Sequence, residues 1–233
     1  MRGVILYEGP SKLDGSPIVV IATLGSGNTK TGPVTQTWIM RSDQNPVEAA
    51  KAGEDAAVCG DCQHRPANGN TCYVLLWQAP SAVYKSYKAG KYPKLTAALA
   101  AHLRSLPLRM GAYGDPAAVP LAVWRKVAGA KALGYTHQWR TSPEFQDLCM
   151  ASVDSPAEFA EAHSAGWRTF RVKRSDDPML KQEITCPATR NKGATFCLTC
   201  LRCDGTRRGP GRSSIVVDVH GPRAKRFLPV LAG

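Results

Sequence analysis

Cys186, Cys197, Cys200 and Cys203 lie in ITCPATRNKGATFCLTCLRCDG with ten, two and two residues between them. Four thiolates on one loop complete either a tetrahedral zinc site or an iron–sulfur cluster. A zinc knuckle uses one CxxC turn, and a third cysteine two residues further on is awkward for the same small ion. A cubane is larger and is commonly wrapped by CxxCxxC, so the spacing favours a cluster. The neighbouring residues are small, polar or basic and give these thiols no apolar core to fill.

VCGDCQHRPANGNTCYV carries a second group: Cys59, Cys62 and Cys72, with His64 among them. Three thiolates and an imidazole make a closed zinc site; three thiolates alone hold a cluster with one iron left open for a ligand. Gly60, Gly69 and Asn70 supply the tight turns either arrangement needs. Cys149 stands alone in an amphipathic stretch and reads as a buried structural thiol.

A third pattern is a row of polar residues at predicted strand ends. RMGAYGDP ends a strand at Gly114-Asp115, GYTHQW carries His137 and Gln138, and MASVDS carries Asp154. Polar groups repeated at successive carboxyl ends of strands converge on one pocket in an α/β barrel. There Asp115 and Asp154 are candidate bases or nucleophiles and His137 a general acid or base. Gly114, Asp115 and Gln138 are candidate cofactor contacts.

These groups must be positioned by the elements around them. Three β-rich runs, Val4 to Tyr7, Ile18 to Leu24 and Thr35 to Met40, predict a small antiparallel sheet in a segment 1–54. From 55 to 174 helical and strand patterns alternate, including a helix over LAVWRKVAGAKAL and a short one over SPEFQDLC. That alternation predicts a mainly parallel sheet with helical crossovers. A cysteine-rich, basic segment follows over 175–233, with one late strand in SSIVVDVHGP. The expected fold is therefore α/β: a partial (βα) barrel with an N-terminal antiparallel sheet and a C-terminal metal module.

The chain of 233 residues carries a net charge of +12 and is 43% apolar, enough for a real core. From Arg168 onward it holds 14 Lys plus Arg against 5 Asp plus Glu, so the charge is concentrated. Arg190, Lys192, Arg202, Arg207, Arg208 and Arg212, among glycines and prolines, are candidate phosphate-backbone contacts. Neither an apolar span of membrane length nor a secretory leader is evident, which places the chain in the cytoplasm, where thiols stay reduced and bind metals.

The three-cysteine group ending in CYV, YGDP after a strand, MASVDSPAEFAEA and the terminal CxxCxxC together resemble radical S-adenosylmethionine enzymes with an auxiliary iron–sulfur cluster. The likeness covers about residues 55 to 205. It implies a catalytic cluster on Cys59, Cys62 and Cys72, cofactor contacts at Gly114 and Asp115, and an auxiliary cluster on Cys186, Cys197, Cys200 and Cys203. The family spacing of three then two is here two then nine, and Asp115 stands where the family has glutamate. GVILYEGPS, CGDCQHR and GAYGDP also resemble cysteine-rich proteins of bacteriophages and mobile elements, which implies a host-cell cytoplasmic setting. The leading expectation is an iron–sulfur enzyme modifying a nucleic acid or nucleotide. Two others stand beside it: a zinc-stapled, non-catalytic nucleic-acid-binding protein, and a transglycosylase-like base-modifying enzyme with structural zinc.

Overall fold

The computed structural model describes the chain apart from residues 1–2, 26, 28–30, 192, 222 and 228–233. The strands β1 (Gly3–Pro10), β2 (Pro17–Thr23) and β3 (Thr35–Arg41) form the expected antiparallel ladder. Ile18 to Ala22 are fully buried, so β2 reads as an unbroken apolar run, the pattern of a strand covered on both faces.

Asn45 caps α1 (Pro46–Ala52) by accepting from the Val47 amide, and Gly53 ends it in a left-handed conformation. α2 (Ala56–Cys59) delivers the first cysteine, and α3 (Ala79–Lys88) and α4 (Ala97–Ser105) lead to β4 (Leu108–Tyr113). β4 pairs in parallel with β3, so the N-terminal strands share a sheet with the βα region. α5 (Leu121–Val127) is shorter than predicted, and Ala132–Leu133 forms β5 beside β4 instead of a last helical turn. The cause is Gly129, packed so tightly on α4 that a Cβ there would sit 1.9 Å from the Arg104 carbonyl oxygen. Trp124 of α5 is fully buried and donates to the Pro116 carbonyl at 2.9 Å, tying the helix to the turn after β4. Truncating such a tryptophan costs about 3–5 kcal/mol.

β6 (Tyr135–Thr136) begins one residue after β5, and the segment predicted helical over SPEFQDLC makes only a 3₁₀ turn at Pro143–Phe145. β7 (Met150–Val153), α6 (Pro156–Ser164) and β8 (Thr169–Lys173) follow as the pattern predicts. β9 (Glu183–Thr185), α7 (Pro187–Arg190), α8 (Cys197–Cys200) and β10 (Ser214–Asp218) complete the chain. The architecture is mixed α/β with two five-stranded sheets, ordered β1-β2-β3-β4-β5 and β6-β7-β8-β10-β9, the second wholly parallel. Gly134 alone separates β5 from β6. No ladder among the described residues joins β1 to β9 to close a barrel.

The break expected at residue 175 does not coincide with a break in the sheet. β10 inserts between β8 and β9, so the cysteine-rich segment supplies two strands of the second sheet. Its apolar Ile215, Val216 and Val217 need cover that only the sheet offers. Arg171 and Glu183, both buried, pair at 2.7 Å and pin β9 beside β8. No helix among the described residues is long and apolar enough to cross a membrane.

Candidate functional site

Both cysteine groups open onto one cavity of about 230 Å³: Cys59, Cys62 and Cys72 line it, and so do Cys186, Cys197 and Cys203. The 59–72 loop has no core of its own and folds around Arg65 instead. The Arg65 guanidinium donates to the Gly60 carbonyl at 2.9 Å, the Gly53 carbonyl at 2.6 Å and Asp55 at 2.7 Å. The Cys72 amide donates to the His64 carbonyl at 2.9 Å, which brings the third cysteine back to the first two. Burial pushes the Cys62 thiol up to about 12 and the Cys72 thiol up to about 11. Cys59 rises as well, first through burial and then through Cys62 and Cys72 beside it. Thiols so placed become thiolates when a cation supplies the compensating charge.

Asp115, His137 and Asp154 stand at the carboxyl ends of β4, β6 and β7, as the sequence pattern requires, but their roles separate. The Asp115 carboxylate accepts from the Ala117 amide at 2.9 Å, the Thr136 hydroxyl at 2.6 Å and the His137 amide at 2.7 Å. Burial raises its pKa, against those three bonds. Asp115 is thus the cap of a turn, and its capture of the His137 amide ends β6 after two residues. Asp115 also lines the cavity, where the catalytic and cofactor roles expected for it would be exercised. Gly114 takes φ 81° because β3 packs on it: a Cβ would lie 2.6 Å from the Ile39 Cβ. Gln138 does not line the cavity. Its amide donates to Asp61 at 2.7 Å and fills the space beside Gly60, bracing the cysteine loop.

His64 departs from the expected zinc set. Its Nε2 lies 2.9 Å from Asp154 and its Nδ1 lies 2.6 Å from the Thr71 hydroxyl, so both nitrogens are engaged away from the three thiols. Asp154 is buried behind the cavity wall. Burial raises its pKa, but the His64 hydrogen bond and the two imidazoles outweigh this and hold it below the ordinary carboxylate value. His137 Nε2 lies 3.8 Å from Asp154 and 3.7 Å from Cys62 Sγ. One donor atom each from His64, His137 and Asp154 falls within a 4.8 Å span, a group that could hold a metal ion.

A zinc ion needs its thiolates close together, because zinc–sulfur bonds of about 2.3 Å in a tetrahedron put sulfurs about 3.8 Å apart. A cubane spreads its thiolates over several irons and fits wider spacing. Burial and the nearby Cys186, Cys197 and Cys200 raise the Cys203 thiol well above its ordinary value, so these four form one neighbourhood.

That loop is fastened by ion pairs. Arg168, fully buried, donates to Asp204 at 2.8 Å and to the carbonyls of Gly205, Arg202 and Ser213. Arg208 and Arg212 reach the same carboxylate at 2.5 Å and 2.8 Å, and Arg207 binds the Gly129 carbonyl at 2.5 Å. Arg207, Arg208 and Arg212, expected to contact phosphates, thus each hold a partner within the chain, although Arg208 remains exposed. Arg190 and Arg202 are exposed, and Lys192 lies outside the described residues. Cys149 is fully buried, the structural thiol predicted.

Arg109 was not singled out from the sequence. It lies in β4 and lines the cavity, with Nη2 donating to the Tyr73 and Tyr135 hydroxyls at 2.8 Å each. A lone arginine between Leu108 and Met110, in a strand otherwise apolar, was the available signal. No family model, curated protein or solved structure matches this chain.

Proposed function

We propose that the chain is an iron–sulfur enzyme, of the radical S-adenosylmethionine kind its motifs resemble, that modifies a nucleotide-sized substrate in the cavity between its two cysteine groups. The observation that carries this reading is that both thiol groups open onto one cavity. The engagement of His64 by Asp154 favours three thiolates with one iron open over a closed zinc site. Such a cluster, when bound, supplies one-electron chemistry. The chain's residues then orient and protect: Arg65 and Gln138 hold the 59–72 loop, Tyr135 and Phe170 stack at 4.5 Å as part of the wall, and His137 presents a proton-carrying nitrogen to the cavity. Protein purified without oxygen should be brown, hold iron and sulfide, and consume S-adenosylmethionine under reducing conditions. Colourless protein containing only zinc would overturn this reading.

A second reading rests on His64, His137 and Asp154: a mononuclear divalent cation with two imidazoles and a carboxylate, open towards the cavity. Thr71 would then fix His64 by accepting from Nδ1, leaving Nε2 for the ion. Cobalt(II) titration separates the two. A visible band lost in His64→Ala but kept in Cys59→Ala supports the mononuclear site. The transglycosylase-like alternative has less support, since Asp115 already accepts three hydrogen bonds and Asp154 does not line the cavity.

A further inference from the structure

We propose that the cavity binds an oxyanion, with Arg109 holding a phosphate or carboxylate group of the substrate. The inference deepens the reading of the cavity as the active site and rests on it. Three other arginines that are buried are each paired with a buried carboxylate: Arg65 with Asp55 at 2.7 Å, Arg168 with Asp204 at 2.8 Å and Arg171 with Glu183 at 2.7 Å. Arg109 is as deeply placed, 7% exposed, yet no Asp or Glu pairs with it among the described residues. A buried ion without a counter-charge is costly, and in folded proteins such ions are paired or hold a ligand.

The hydrogen bonds of Arg109 leave a defined vacancy in its donor set. Nη2 is taken by Tyr73 and Tyr135, while Nε and Nη1 have no partner among the described residues. Arg109 lines the cavity, and neither nitrogen is among the sealed, unpartnered atoms of the described residues, as Arg207 Nη2 is. An N–H of a buried, charged guanidinium donates a charge-assisted hydrogen bond to an oxygen of a phosphate or carboxylate. The carboxylate that shares the cavity wall, Asp115, accepts three hydrogen bonds of its own and makes no ion pair with Arg109 among the described residues. The two tyrosines fix the guanidinium from behind, and the Tyr135 ring is itself held by Phe170.

Isothermal titration of the full-length protein with inorganic phosphate, and separately with acetate, tests this, the stronger of the two identifying the oxyanion. One equivalent should bind. Arg109→Gln should weaken binding roughly 10- to 100-fold, and Arg109→Lys, which keeps the charge and loses the planar donors, should fall between. Circular dichroism establishes that both variants are folded. Raising the salt should change the affinity little, because a buried cation is poorly screened, whereas binding to surface arginines would fall steeply. No binding of either anion, or equal binding by folded Arg109→Gln, would overturn the proposal. So would loss of metal from the Cys186–Cys203 loop with anion affinity unchanged, which would make Arg109 a counter-charge for that loop. The titration reads anion binding whether or not iron is present. Colourless protein that binds phosphate through Arg109 would therefore refute the iron–sulfur reading alone.

Discussion

The two cysteine groups share a cavity but are built on different principles. The 59–72 group has three thiols, is braced by the neutral side chain of Gln138 and the buried Arg65, and faces His137 at 3.7 Å. The 186–203 group has four thiols on a loop clamped by one aspartate among three arginines, Arg168, Arg208 and Arg212. The first combines an incomplete ligand set with titratable neighbours, which suits an ion that must accept a further ligand. The second combines a complete set with fixed charge, which suits a centre that exchanges none. On the proposed reading, the difference would separate a chemical role from a supporting one within a single pocket.

Removing thiols probes that contrast most strongly. Cys62→Ala should abolish S-adenosylmethionine consumption and lower iron from about eight to about four atoms per chain. Cys200→Ala should lose a similar amount of iron yet keep that consumption; if both variants lose it equally, the division of roles fails. Asp204→Ala comes next, because it strands the buried Arg168. It should destabilise the fold by about 3–5 kcal/mol in urea denaturation and release metal from the second loop first. An unchanged midpoint would show that the arginine clamp does not hold that loop.

Asp154→Asn should leave iron content intact and lower turnover about 100-fold, at the low end for a positioned acid–base pair, with the pH–rate profile altered. Turnover and profile like those of the wild type would reduce His64 and Asp154 to scaffolding. The smallest effect concerns acid stability. The folded-state pKa of Asp154 lies below its unfolded value, so its contribution is present above about pH 4 and is lost as pH falls through the depressed folded value. Asp154→Asn should remove that part of the acid dependence, measured as the difference between the two unfolding free energies from neutral to acid pH.

Much of the architecture was legible because it is written in short-range pattern. Alternating and continuous apolar runs mark β1 to β4 and β7, and Ser155 before Pro156 marks the start of α6, where its hydroxyl accepts from the Glu158 amide. β9 escaped notice because three residues carry no period, and α5 was read too long because nothing local shows that Gly129 lies against Arg104. Polar residues at the strand ends were found correctly as positions, but their partners were not.

The sequence by itself determined where the thiols stand: cysteine type and spacing place seven of the eight in two loops as candidate metal ligands. Tertiary structure decided that those loops face one cavity, that His64 turns to Asp154, ninety residues away, and that three of the five expected phosphate-binding arginines hold Asp204 or Gly129. It also left Arg109 as a buried cation without a carboxylate. The reason is range. Ligand spacing along a loop is a local property, whereas the partner of a buried charge is chosen by whichever distant segment the sheet order brings beside it.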